Sequence, residues 1–436
     1  MKFYSTNHKN NLVDFEQAVF QSLPPDNGLY MPADIPRLAE SMLSGLSALS
    51  FQDIAFEVSR LLIGDSIPEE VLRDIVTGAI NFPAPVVKLS PEAYVLELFH
   101  GPSMAFKDFG ARFMSRVMAF FLEKRQRDLD ILVATSGDTG GAVAMGFYQV
   151  PHIRVTILYP SGKVSPIQEK QLTTLGENIR ALEVKGTFDD CQRLVKQAFL
   201  DRELNKKLHL SSANSINISR LIPQAFYYLN ACAQLQRQGD ARPPVFSVPS
   251  GNFGNLTAGL LAHRMGMPCA GFIASTNVND EVPEYLSTGQ FTPRPSKHTL
   301  SNAMDVGNPS NFVRMLDLFD HDVSRMKALV AGYAFTDEET KAAIRAVYHD
   351  HGYILCPHTA VAWLGLSQFL EEHPDGHPAP VLLSTAHPCK FEEVYENNIK
   401  EHLTYPAQVE AFRNKAKESI PIAATYEALR DVLEAY

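Results

Sequence analysis

The sequence predicts an α/β protein with two open, mainly parallel sheet lobes flanked by helices, preceded by an N-terminal, mostly helical domain. Short apolar runs alternate with amphipathic helical stretches in two blocks, about 95–210 and 240–395, which is the pattern of βαβ units on a parallel sheet. Before residue 80 the apolar residues instead recur every three or four positions, as on helices. The composition, 45% hydrophobic and 20% charged over 436 residues, is that of a globular chain with apolar material for more than one core.

Leu12, Phe15, Val19 and Leu23 share one helical face over 12–23, and Pro24-Pro25-Asp26-Asn27-Gly28 closes that helix in a turn. Residues 50–79 also read as helical, with Ile54, Val58, Leu61 and Leu62 on one side. Pro83 and Pro85 mark the boundary that follows. Residues 94–98 are strand-like, and 107–125 form a helix with Phe109, Phe113, Met114, Val117, Met118 and Phe121 along one face. A buried strand follows at 131–135, and further strands at 154–159, 179–184, 245–248 and 381–384. The tail, about 405–436, reads as helical and polar. The expected domains are 1–80 (helical), 107–210 (a small α/β lobe), and 81–106 with 211–436 (a large α/β lobe with the helical tail).

Lys plus Arg total 39 against 49 Asp plus Glu, a net charge of −10 with no basic block, which argues against a nucleic-acid partner. Cys191, Cys232, Cys269, Cys356 and Cys389 are odd in number and widely spaced, so neither a disulfide framework nor a metal site is expected. No run approaches the roughly 18–20 apolar residues of a membrane span, and the first residues lack a secretory apolar region. A soluble, cytoplasmic protein with no membrane partner is expected, as a monomer or small homo-oligomer.

Four stretches are suited to chemistry. Ser250-Gly251-Asn252-Phe253-Gly254-Asn255 follows a strand and opens a helix, where glycines and helix N–H groups favour a phosphate. It is neither Gly-x-Gly-x-x-Gly nor a Walker A loop, which argues against nucleotide or nicotinamide chemistry. Thr135-Ser136-Gly137-Asp138-Thr139-Gly140 makes a similar junction, with the hydroxyls of Ser136 and Thr139 available to a carboxylate or simply to a helix cap. Lys107, flanked by Phe106 and Phe109, stands at a strand-to-helix junction, where apolar surroundings lower a lysine pKa and suit Schiff-base chemistry. Ser384 and Thr385 end a strand at the same kind of edge, while His387 and His358 read as structural histidines.

In this order the four stretches resemble the fold type II pyridoxal-phosphate enzymes of the tryptophan-synthase-β superfamily, and within them the threonine synthases. Asp26-Asn27-Gly28-Leu29-Tyr30-Met31-Pro32, Asn214-Ser215-Ile216-Asn217 and Asn302-Ala303-Met304-Asp305-Val306 extend the likeness through nearly the whole chain. The resemblance implies pyridoxal 5'-phosphate as cofactor, with Lys107 as the lysine that carries it. It further implies a cofactor phosphate on Gly251, Asn252, Phe253, Gly254 and Asn255, and the pyridine nitrogen facing Thr385 with Ser384 beside it. Ser136 and Thr139 take the amino-acid carboxylate. Asp138 falls where related enzymes place Asn near the cofactor's phenolic oxygen, which a carboxylate would repel unless one of the two is protonated. The implied reaction is that of a carbon–oxygen lyase acting on phosphate, converting O-phospho-L-homoserine and water to L-threonine and phosphate by γ-elimination and β-addition. The substrate's own phosphate needs a second set of donors. Candidates are Lys163 and Arg220 first, then Asn217, Ser161 and Lys297. Within the superfamily, the competing expectation is a dehydratase that releases a keto acid.

Overall fold

The computed structural model describes every residue except Glu92, Ser136 and Tyr436. A six-stranded sheet runs in the order Val330–Ala334, Gly271–Thr276, Pro244–Pro249, Ala379–Ser384, Ala93–Glu97, Val86–Ser90. Its strands are parallel apart from the last, which pairs antiparallel with Ala93–Glu97. In the centre, Phe246 stands opposite Phe272 on one side and Val381 on the other. A second sheet, wholly parallel, runs in the order Ile420–Ala423, Ile179–Lys185, Ile153–Pro160, Leu129–Ala134, Leu210–Ser211. The central strands are buried on both faces, which is why their sequences are mostly apolar.

The helix Lys107–Arg125 packs between the N-terminal region and the helix Gln224–Arg237. Phe109 meets the Tyr227 ring at 5.3 Å and the Phe82 ring at 4.8 Å, and Phe113 meets Phe226 at 5.8 Å. Its bounds coincide with the stretch read from its apolar face. Among the described residues, no helix is long and apolar enough to cross a membrane.

The chain's two ends differ from expectation. The first 80 residues contain a three-stranded antiparallel sheet, Lys2–Ser5, His8–Asp14 and Tyr30–Pro32, besides their helices. The expected helix over 12–23 shortens to Phe15–Gln21, capped by Asp14, whose carboxylate accepts the Gln17 N–H at 2.8 Å. The stretch 50–79 is two helices, Phe51–Ile63 and Glu69–Ala79. Gly64 at φ 61° stops the first, and Pro68 precedes the second. The tail holds helices, but also the strand Ile420–Ala423, which extends the five-stranded sheet beside Ile179–Lys185.

One buried cation ties the N-terminal sheet to the rest. Arg314, wholly enclosed, donates through Nη2 to Tyr30 O at 2.9 Å and Ile216 O at 2.7 Å, and through Nη1 to Asn311 Oδ1 at 2.8 Å. Burial lowers its pKa to about 9. Replacing it by Met strands two buried carbonyls, so Arg314→Met should lose about 3 kcal/mol of unfolding free energy in urea denaturation. A loss below about 1 kcal/mol would show that these bonds do not hold the two parts together.

Candidate active site

Lys107 is placed by backbone pairing. Its segment runs along the end of the strand Ala379–Ser384, with Leu98 N–H donating to Ser384 O at 2.9 Å and Phe106 N–H to Thr385 O at 2.8 Å. His387 N–H returns a bond to Met104 O at 3.0 Å, and Ala105 bridges Ala386. Buried Met104 sits at φ 56°, a left-handed conformation that costs a non-glycine residue energy and persists because these contacts fix it. Lys107 then opens its helix, partly accessible, with Nζ 5.9 Å from the Phe106 ring centre. Loss of hydration lowers its pKa to about 8. Asp138 pulls it back up, while Arg220 and Lys390 push it further down.

The strand Pro244–Pro249 leads through residues 250–253 into the helix Gly254–Arg264. Phe253 holds φ 59° at the turn. Among the described residues, nothing accepts from the backbone N–H groups of Gly251, Asn252, Phe253, Gly254 or Asn255. Their side chains brace the loop instead. Asn252 donates to Ser215 Oγ at 2.6 Å and accepts from Ser310 N–H at 2.5 Å, and Asn255 donates to Pro249 O at 2.9 Å. A Cβ on Gly251 would come within 2.6 Å of Met304 Cα, so no side chain fits there. Gly254 is different, because a Cβ there would meet nothing closer than Asn311 Nδ2 at 3.4 Å. That Asn311 nitrogen is itself buried without a partner among the described residues.

The helix Asp138–Phe147 begins at the end of the strand Leu129–Ala134. Its first turn is capped by Thr135, whose Oγ1 accepts from Gly137 N–H at 3.0 Å and Gly140 N–H at 2.8 Å. Gly137 holds φ 143°, and a Cβ there would lie 2.5 Å from the Gln168 side chain. Asp138 is buried against Lys390, with Oδ1 2.5 Å from Nζ, and it also accepts from Gln168 Nε2 at 3.1 Å. Burial would raise the Asp138 pKa, but Lys390, Lys107 and His358 together hold it well below the usual carboxylate range. Thr139 follows, half-buried. Ser136 lies outside the described residues.

The remaining expected residues separate into open and enclosed groups. Ser384 Oγ is engaged with Thr359 Oγ1 at 3.0 Å, itself 3.1 Å from Cys356 Sγ. Thr385, buried beside it, accepts from Phe106 through its backbone. Lys163 is exposed on the turn after the strand Ile153–Pro160, and the neighbouring Ser161 donates to Glu183 at 2.6 Å. Arg220 is enclosed instead. Its Nη1 donates to Ala213 O at 2.5 Å, and its Nε lies 3.0 Å from where Gly110 would carry a Cβ. Burial lowers its pKa to about 10. Asn217 is fully buried as a cap, accepting from Ser219 N–H at 3.0 Å and donating to Val19 O at 2.7 Å. Lys297 is exposed in a loop whose backbone bonds to Asn279.

Sequence reasoning missed Lys390, Gln168 and Thr135. Lys390 stands three residues beyond His387 in a stretch with no helical or strand period, so nothing local signalled a buried lysine. His358, read as structural, accepts from Ala303 N–H through Nε2 at 3.2 Å, which leaves its proton on Nδ1, facing Cys356 Sγ at 3.9 Å. Burial lowers its pKa to about 4.

A lysine of lowered basicity and an empty-handed phosphate-type loop, each at the carboxyl edge of a parallel sheet, define a class: pyridoxal-phosphate enzymes of fold type II. Residues 80–384 match the family described as pyridoxal-phosphate dependent enzyme. Residues 2–80 match the threonine synthase N terminus, and 359–433 the threonine synthase C-terminal region. The chain is 45% identical over 433 residues to threonine synthase of Escherichia coli strain K12, covering 99% of both. The crystal structure of threonine synthase from Escherichia coli superposes with a TM-score of 0.90 at 44% identity, covering 100% of both chains. That of pyridoxal-phosphate-bound threonine synthase from Brucella melitensis gives 0.93 at 32% identity, covering 100% of this chain and 99% of the other. The chain belongs to the threonine synthase family.

The residues fit such a cofactor. The unpaired amides of 251–255 at a helix N-terminus suit a phosphate, and the amine of Lys107 suits a carbonyl carbon. The two glycines of the loop should not be equivalent. Gly251→Ala must displace the Met304 backbone and should weaken cofactor binding at least about 10-fold, whereas Gly254→Ala should stay within about threefold. Titration of each cofactor-free variant with pyridoxal phosphate, followed by absorbance, checks this. Equal losses would mean that Gly251 is not needed for its close approach to Met304.

Proposed function

We propose that Lys107 carries the pyridoxal phosphate and serves as the mobile base of the threonine synthase reaction. O-phospho-L-homoserine and water become L-threonine and phosphate. The observation that carries this reading is the low-pKa amine of Lys107, fixed at the sheet edge by the bonds to residues 384–387. The amides of Gly251, Asn252, Phe253, Gly254 and Asn255 take the cofactor phosphate, and Thr385, braced by Ser384, faces the ring nitrogen. When bound, the cofactor supplies the electron sink that makes the protons at Cα and Cβ removable.

The chain's own groups supply orientation and proton movement. Ser136 and Thr139 hold the substrate carboxylate, Thr139 from the first turn of the helix Asp138–Phe147. Lys107 Nζ takes the protons from Cα and Cβ and returns one at Cγ, because its lowered pKa leaves a useful neutral fraction near neutral pH. The γ-phosphate departs with its bonding electrons toward Lys163. Water then adds at Cβ as the product hydroxyl, its other proton passes to the released phosphate, and Lys107 returns the second abstracted proton at Cα. Arg220 adds positive potential beneath Lys107, and Asn217 acts by holding the loop 214–217. The reaction is placed in the cytoplasm, in a monomer or small homo-oligomer.

Borohydride reduction of the cofactor-loaded protein, followed by peptide mapping, should mark Lys107. A mark on another lysine would overturn the assignment. Lys163→Ala should keep the cofactor spectrum but lose about 10- to 150-fold in kcat/KM for phosphohomoserine, the worth of a charged hydrogen bond kept in the transition state. Turnover within about twofold of the parent would remove Lys163 from the phosphate site.

A further inference from the structure

A buried carboxylate beside the cofactor lysine needs compensation, and the compensation comes from outside every motif of the site. Lys390 Nζ lies 2.5 Å from Asp138 Oδ1, and its side chain is 0% exposed. The same ammonium donates to Ser103 O at 2.9 Å. Ser103 stands four residues before Lys107, and its carbonyl also accepts from Gln171 Nε2 at 2.9 Å. Lys390 is thus clamped between the backbone that leads to Lys107 and the first residue of the helix Asp138–Phe147. Gln168 Nε2, 3.1 Å from the same carboxylate oxygen, completes the shell, and its own position is fixed by a capping box with Ser165. A wholly buried ion pair is an uncertain contributor to stability, but loss of one partner strands the other charge. The pair therefore behaves as a unit.

We propose that Lys390 is a positioning residue of the reaction: with Asp138 it forms a charge-neutral pair that fills the place of a single neutral amide, and it cancels the field that either charge alone would put on Lys107. The inference rests on the reading of Lys107 as the cofactor lysine. The pair orients Asp138 toward the cofactor without a net negative charge beside the phenolic oxygen. It also fixes the basicity of Lys107, because the two members act on that amine in opposite directions. The other groups around the amine are Arg220, which favours its neutral form, His358, held neutral by burial, and Asp108, enclosed next to it.

The test uses the full chain as Lys390→Met, Asp138→Asn and the double variant. In the cofactor-free form, acylation of Lys107 is followed against pH by peptide mass spectrometry, and thermal midpoints are measured in parallel. The labelling midpoint should rise by about one pH unit in K390M, where Asp138 acts unopposed, and fall by about one in D138N, where Lys390 does. In D138N/K390M it should return to within about 0.3 of the parent, and the double variant should melt above either single one. Cofactor-loaded D138N/K390M should show the parent's absorbance. An unchanged Lys107 midpoint in K390M, or a double variant that sums both losses of stability, would overturn the proposal. Should K390M fail to fold, a folded double variant that labels like the parent supports the coupling, and a double variant that also fails to fold overturns it. A borohydride mark on a different lysine, with the opposed shifts intact, would overturn the cofactor reading of Lys107 while supporting the coupling.

Discussion

The backbone hydrogen bonds between residues 104–106 and 385–387 are the constraint on which the rest of the site depends. They join the segment that enters the helix Lys107–Arg125 to the end of the central strand Ala379–Ser384. Without them, Lys107 would be a helix-terminal lysine free to reach water, with no reason to lose basicity. With them, Met104 is held in a left-handed conformation and the amine is fixed at the carboxyl edge of the larger sheet. The strand Pro244–Pro249, adjacent in the same sheet, delivers the phosphate-type loop at that edge. Two stretches far apart in sequence therefore lie at the same sheet edge, because parallel strands end on the same side.

The second constraint is charge. Lys107, Lys390 and Arg220 bring three cations to a largely enclosed region, against Asp138 and Asp108. Burial penalises every one of these charges. The groups respond differently because their partners differ. Asp138 stays ionised against Lys390, whereas burial lifts Asp108 to about 6, its Oδ1 without a partner among the described residues. Lys107, with no carboxylate in contact among the described residues, drops to about 8. Differences in basicity among neighbouring groups are what acid–base chemistry requires, and here they follow from which side chain touches which.

Much of the architecture was legible in the sequence because buried parallel strands are apolar on both faces. The runs at 131–135, 154–159, 179–184, 245–248 and 381–384 each became a strand within a residue or two of their reading. The polar hairpin strand His8–Asp14 was not legible, since most of its side chains face water and none alternate. The strand Ile420–Ala423, short and at a sheet edge with Pro421 inside it, carried no signal either. In the site, Lys107 and the loop 250–255 were readable because glycines and a flanked lysine at strand-to-helix junctions have a local chemical reason. Lys390 was not, because its role is set by Asp138, 252 positions earlier in the chain. The ion pair of Lys390 with Asp138 is a contact that only the fold creates.

The threonine synthase reaction adds water to the carbon skeleton after expelling phosphate, rather than releasing a keto acid. The direct measurement is incubation of the purified, cofactor-loaded protein with O-phospho-L-homoserine in ¹⁸O-labelled water, followed by mass spectrometry of the products. The expected product is L-threonine with the label in its β-hydroxyl, formed in equal amount with unlabelled phosphate. A 2-oxo acid with ammonia in place of threonine, or threonine without the label, would contradict it.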